Sequence, residues 1–186
     1  MDFDKVIKER KSVRKFHSKK PNWRHIIEAF ETGLQAPIAG NISSVRFILV
    51  DDPVIIAKLT EASQQDFVAD TSYVAVVCSD PVDTIRSYGK ELGERYVRQQ
   101  AGAAIENFLL KLVDLGLGAC WVGAFDEDEI RSALKIPDNI YIEAIIPVGY
   151  SIDKTPRKKH PSLDRSIYFN KYKMRFMKPR KEVEAL

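Results

Sequence analysis

Apolar residues recur along this chain in two rhythms, one of about 3.6 residues and one of short continuous runs, and the two alternate. Phe3, Val6 and Ile7, with Arg10 and Lys11 beyond them, predict a short amphipathic helix ending near Ser12, after which Val13, Arg14 and Phe16 turn toward extended chain. Asn22 stands as an N-cap ahead of the stripe Ile26, Ile27, Phe30 and Leu34, and Ala36-Pro37 stops that helix because the residue before a proline is pushed out of the helical region. The stretch from Pro37 to Ser44 reads as a loop. Val45 to Val50 and Tyr73 to Cys78 are β-branched, nearly continuous apolar runs, hence buried strands, with a helix from about Pro53 to Ser63 between them.

From Tyr96 to Leu115 the apolar positions wrap more than one helical face, which predicts a central helix of the fold or of a subunit interface, ended by Gly116 and Gly118. Ala119 to Gly123 then reads as a strand. Asp126 with Glu129 opens a helix that closes near Leu134, and Tyr141 to Val148 is a further buried strand. Long helices against a few strands predict an α+β layer architecture; the pattern alone leaves a parallel α/β sheet open.

Composition narrows the class. At 186 residues, 45 % hydrophobic and 30 % charged, the chain suits one ordinary core: a single domain over residues 1–176 with a basic tail, 177–186. Glu106 and Glu143 interrupt the two best apolar stretches, so no membrane span is expected. The opening MDFDKVIKERK lacks the apolar region of a signal peptide. Cys78 and Cys120 lie in apolar runs without CxxC spacing, which points to buried free thiols in the reducing cytoplasm.

The net charge of +3 hides an asymmetry. Residues 1–24 hold nine Lys/Arg against three acids and residues 151–186 eleven against four, while the middle is acidic. Either the two ends are solvated, or they converge on one anion.

Several chemistries lack their residues. Gly116-Leu117-Gly118 opens like a dinucleotide fingerprint, but Trp121 stands where the third glycine belongs and the run follows a helix, not a strand. No GxxxxGK[ST] or GxSxG occurs, and His17, His25 and His160 share no metal-ligand spacing. Redox or group-transfer chemistry here needs a cofactor.

Three segments together resemble the FMN-dependent nitroreductases, over about Phe3 to Tyr172. Arg10-Lys11-Ser12-Val13-Arg14-Lys15-Phe16 is similar to the family's RRSxRxF signature; forked guanidinium donors and a hydroxyl suit a phosphate. Gly116 to Gly123 resembles the GLGxxW stretch, which in the family passes beside the flavin with a backbone N–H directed at N5; Gly123, or else Ala124, matches that donor, with Trp121 and Val122 adjacent. Val148-Gly149-Tyr150 and the run Thr155 to Pro161 resemble the glycine-ended strand and following basic pair, which would bring Arg157 and Lys159 to the same phosphate as Arg10, Ser12 and Arg14, with Lys11 a further cofactor-binding residue.

The family's loop after helix two supplies flavin contacts across the dimer interface; Pro37 and Asn41 match it, with Ile38 and Ala39 between them, but its Gln-Pro-Trp is missing here. Gln65 corresponds to the pyrimidine-binding amide, with Gln64 beside it, and Ser87, Tyr88 and Arg95 are candidates for substrate contact on a short lid.

The resemblance implies a mixed sheet flanked by helices, a homodimer with the long helix at its interface, FMN as cofactor, and NAD(P)H reducing a nitroaromatic, quinone or similar acceptor by a ping-pong route without a catalytic acid or base. Two rivals stand beside it: a dehalogenase-like or other specialised reaction on the same anchors, and a nucleic-acid module using the basic ends. The acidic middle and the low net charge argue against nucleic acid.

Overall fold

The computed structural model describes residues 2–155 and 162–176, which fall into two compact units meeting in sequence at Lys154 and Thr155. The first runs α1 (Phe3–Glu9), α2 (Trp23–Gly33), β1 (Val45–Val50), α3 (Pro53–Ser63), β2 (Tyr73–Ser79), α4 (Val82–Tyr88), α5 (Lys90–Asp114), β3 (Gly118–Ala119), α6 (Glu127–Leu134) and β4 (Tyr141–Gly149). The second contains the short helix α7 (Leu163–Ser166) and, after it, Arg175 over the Tyr168 ring at 5.4 Å.

The strands form one four-stranded sheet in the order β1-β2-β4-β3, and every ladder in it is antiparallel. Among the described residues a parallel element enters only as the isolated bridge Ser12–Ala119 on the outer side of β3. Every residue of β2 is buried, and its alternation explains the continuous apolar run. Tyr73, Ala75 and Val77 pack in the core that holds Ile26 and Phe30 of α2 and Phe108 of α5. Val74, Val76 and Cys78 pack in the other, with Leu59 of α3 and Ile130 of α6. Helices therefore cover both faces of the sheet, and a strand buried on both faces has no polar side to show.

Local signals act much as the sequence leads one to expect. The Asn22 side chain accepts from the Arg24 N–H at 3.1 Å, Asp52 caps α3 through the Val54 N–H at 2.8 Å with Pro53 following, and Asp126 accepts from Glu129 N–H at 3.1 Å. These caps satisfy amides that the first helical turn leaves without partners. Helix α2 stops at Gly33, short of Pro37, where an added Cβ would stand 3.0 Å from both the Phe47 ring and the Ala104 carbonyl oxygen. Phe30, Phe47 and Phe108 interlock there, with ring centroids 4.5 to 5.8 Å apart.

Helix α5 begins at Lys90, a turn and a half before Tyr96, just past Gly89 at φ +75°. Within this chain it buries one face, through Val97, Ala101, Ala104, Ile105, Phe108 and Leu112, while Arg95, Arg98, Gln99 and Glu106 stay exposed. Burial on most sides, which the apolar wrapping predicts, is thus not reached within one chain. The expected strand from Ala119 to Gly123 is a two-residue strand followed by a bridge at Val122.

Candidate active site

Candidate site residues from three segments come together along the edge of the sheet at β3, and the glycine-leucine-glycine run builds that edge. Gly116, at φ +75°, closes α5: its N–H donates to Val113 O at 3.0 Å and that of Leu117 to Leu112 O at 2.8 Å, the paired bonds of a left-handed helix stop. Gly118 serves a close approach instead, because a Cβ there would meet Val13 Cγ2 at 2.8 Å. The Val13 N–H donates to Ala119 O at 2.9 Å, so the basic segment is laid against β3 by its backbone. Further along, Phe16 pairs with Ser151, and the His17 N–H donates to Tyr150 O at 2.9 Å. Val13 and Phe16 are buried, whereas Ser12 and Arg14 are exposed.

Each basic side chain in this segment has a distinct setting. Arg10 Nε lies 3.3 Å from Glu106 Oε1 of α5. Lys11 Nζ donates to Asp153 O at 2.6 Å. The Arg14 guanidinium stands 5.9 Å from the centroid of the Phe67 ring and has no acidic partner among the described residues, although its backbone N–H reaches Asp153 Oδ2 at 3.4 Å. Cys120 is buried beside this group. Burial pushes its thiol up, and the Arg14 charge and the Ser12 hydroxyl pull the other way, which puts all three side chains in one neighbourhood.

Past Ala119 the edge opens. Val122 exchanges both backbone bonds with Ile145, each at 3.0 Å, and its side chain packs inward. In an antiparallel pair such residues alternate with ones whose amides face away, so the Gly123 N–H is directed outward. Gly123 has no backbone acceptor among the described residues. A Cβ there would meet only the indole of Trp121, at 3.7 Å, and Trp121 is itself 41 % exposed. Of these three residues Val122 has its backbone and side chain already committed inward, and Gly123 and Trp121 border the open side. The Asp126 N–H donates to Ala62 O at 2.8 Å, tying this segment to the end of α3, where Gln64 adopts φ +52° and Gln65 leads into the turn Asp66–Val68 that carries Phe67.

Arg10, Lys11, Ser12, Arg14, Gln65, Trp121, Val122 and Gly123 are thus neighbouring segments of one edge. Pro37, Ile38, Ala39 and Asn41 are not with them: their loop precedes β1, three strand spacings or roughly 14 Å across the sheet from β3. In that loop Gly40 and Asn41 both hold φ +58°, and the Tyr88 hydroxyl occupies the space a Gly40 side chain would need. Arg157 and Lys159 lie outside the described residues. Glu106, the ion-pair partner of Arg10, carries no sequence signal for this edge beyond the charge that breaks an apolar run. No cluster of potential metal ligands occurs among the described residues, and none of their helices is long and apolar enough to cross a membrane.

The Nitroreductase family model matches residues 7–71 and 61–150, which takes in the basic segment, the sheet and the glycine edge. This chain belongs to the nitroreductase family. A candidate NADH dehydrogenase/NAD(P)H nitroreductase of Archaeoglobus fulgidus is 31 % identical over 155 residues, covering 81 % of this chain and 86 % of its own. An iodotyrosine deiodinase of Thermotoga neapolitana is 25 % identical over 193 residues, covering 90 % of this chain and 97 % of its own. The NADPH:FMN oxidoreductase of Vibrio harveyi, solved with NAD+, superposes with a TM-score of 0.84 at 18 % identity over 92 % of this chain and 78 % of that one, a likeness of fold. The edge described above carries an outward amide, a position where a Cβ is absent and, among the described residues, a guanidinium without an acidic partner.

Proposed function

We propose that this nitroreductase-family chain is an FMN-dependent NAD(P)H oxidoreductase that reduces nitroaromatic, quinone or similar electrophilic acceptors. The observation that carries the reading is the outward Gly123 amide on an open sheet edge, with the basic segment from Arg10 to Arg14 laid along the same edge. FMN, when bound, supplies the redox chemistry, taking hydride equivalents from NAD(P)H and delivering them to an acceptor. The protein's part is to bind and orient. Arg14 and Arg10 hold the phosphate with Ser12, Gly123 offers a fixed donor to the ring, and Gln65 serves the polar edge of the pyrimidine through an amide that both donates and accepts.

Because Pro37 to Asn41 stand across the sheet, their contribution comes from a second copy, and the working unit is a homodimer whose interface includes the exposed face of α5. The buried free thiols Cys78 and Cys120 suit a cytoplasmic setting. With both substrates using one open face in turn, the kinetics are ping-pong.

The test is reconstitution of two variants. Gly123→Ala keeps the amide and meets only the Trp121 ring, whereas Gly123→Pro removes the N–H. Gly123→Ala should bind FMN near wild-type affinity and Gly123→Pro should lose both affinity and the native midpoint potential. Wild-type protein that takes up no FMN, or a proline variant with an unaltered potential, refutes the assignment. Initial rates at several fixed acceptor concentrations should give parallel reciprocal plots; intersecting ones exclude the one-face scheme.

A further inference from the structure

Glu143 sits on β4 at the register shift opposite Val77 and Cys78, with its side chain only 8 % exposed. One carboxylate oxygen, Oε2, lies 3.3 Å from Arg98 Nη1; the other, Oε1, is buried without a hydrogen-bond partner. Arg98 itself is 61 % exposed and its guanidinium stands 5.0 Å from the centroid of the Tyr141 ring, whose hydroxyl donates to Glu94 Oε1 at 3.1 Å. A buried carboxylate with half its capacity unused is costly, and the counter-charge it holds is aimed at solvent, with donors left over.

The position of this group relates it to the edge. Arg98 and Glu106 lie eight residues apart on α5, about 12 Å along its axis, with Glu106 on the outer face and Arg98 on the flank that turns toward β4. Glu106 pairs with Arg10, at the phosphate end. Val122 bridges Ile145, and Glu143 lies two residues before Ile145 on β4, so Glu143 stands near the Gly123 end of the edge. Arg98 therefore marks the end of the strip opposite to the basic segment, beyond Gly123.

We propose that Arg98, positioned by Glu143 and Tyr141, binds an anionic group, carboxylate or phosphate, on the substrate that enters at the Gly123 end of the edge. The inference rests on the oxidoreductase reading. A guanidinium braced by a carboxylate on one side and an aromatic face on another keeps its fork in one orientation and offers the remaining donors to a planar anion. Glu143 and Tyr141 are positioning residues; Arg98 touches the substrate.

The experiment uses FMN-loaded wild type, Arg98→Gln, Arg98→Lys and the double variant R98Q/E143Q, the last because removing Arg98 alone strips a buried carboxylate of its counter-charge. Flavin content and melting temperature are measured first, then KM and kcat for NADPH against NADH and for 4-nitrobenzoate against uncharged nitrobenzene. Arg98→Gln and the double variant should raise KM for one anionic member by about tenfold or more while its uncharged or less charged counterpart stays within about twofold. Arg98→Lys should recover part of the loss. Loss confined to NADPH identifies the ribose phosphate as the anion, and loss confined to nitrobenzoate identifies the acceptor carboxylate. Equal effects on both members of each pair, or none, in flavin-loaded protein overturn the role of Arg98. Wild-type protein without flavin overturns the oxidoreductase reading and this inference with it.

Discussion

Arg10 and Arg14 flank the same backbone segment, and as proposed phosphate ligands their different settings predict unequal shares. Arg14 is exposed and has no acidic partner among the described residues, so a phosphate gains its full charge-assisted bond. Such a bond is worth about 1.5 to 3 kcal/mol, and Arg14→Ala should weaken FMN binding by about 12- to 160-fold. Arg10 lies 3.3 Å from Glu106, with side chains 23 % and 47 % exposed. Turning it toward a phosphate gives up a solvent-screened ion pair worth about 0.2 to 1 kcal/mol.

Arg10→Ala should accordingly cost less, about 1 to 2.5 kcal/mol or roughly five- to seventy-fold in Kd. Glu106→Gln, which frees Arg10, should tighten binding by up to about fivefold, opposite in sign to the arginine variants. The assay is fluorescence titration of apoprotein with FMN at fixed ionic strength, with urea unfolding of each apo variant as control. Unchanged Kd in both arginine variants would remove the basic segment from the phosphate site. A Glu106→Gln variant that binds as poorly as Arg10→Ala would show that Glu106 helps to hold Arg10 for the phosphate and does not compete with it.

Gly118→Val should lose FMN together with stability, by more than about 1 to 3 kcal/mol, because its Cβ alone would stand 2.8 Å from Val13 and push the basic segment off β3; a stable variant with native flavin content refutes this. Phe108→Ala, which removes the fully buried ring of the three-phenylalanine cluster, should cost about 3 to 5 kcal/mol in urea unfolding, and a loss under 1 kcal/mol would show that the cluster collapses to fill the gap. Burial, with the Glu143 charge adding to it, pushes the Cys78 thiol up to about 11 from an ordinary value near 9.0. The folded chain then holds that proton more tightly than the unfolded one, so stability falls as pH rises from about 9 to 11, by about 3 kcal/mol in all; a Cys78→Val variant with the same slope over that window refutes it.

The layered fold was legible because the core is. Strand β2 reads as an unbroken apolar run, and the two-sided burial this implies is what the helix layers deliver. The departures have local causes. Helix α4 buries Thr84 and otherwise shows little apolar stripe, and the first turn of α5 is charged, so neither carries the period that announces a helix. The strand after Gly118 is shorter than its sequence suggests because the pairing that would extend it is reduced to the Val122 bridge.

The candidate site was legible by a different route and only in part. Motif resemblance singled out Arg10, Ser12, Arg14 and the glycine run, and the fold supplies physical reasons for two of those glycines that spacing alone does not contain: a left-handed helix stop at Gly116 and contact with Val13 at Gly118. What spacing cannot carry is pairing between residues far apart in the chain. Glu106 faces Arg10 across 96 positions, and Glu143 faces Arg98 across 45. Nor can it carry the direction of an amide, which depends on the parity of a strand pairing: with Val122 bonded to Ile145, Gly123 points outward, and a slip of one residue would turn Val122 outward and Gly123 in. The proposed chemistry therefore depends on a register fixed by the buried side chains of β4, Ile145 among them, and substitutions there should disturb flavin affinity without touching the flavin.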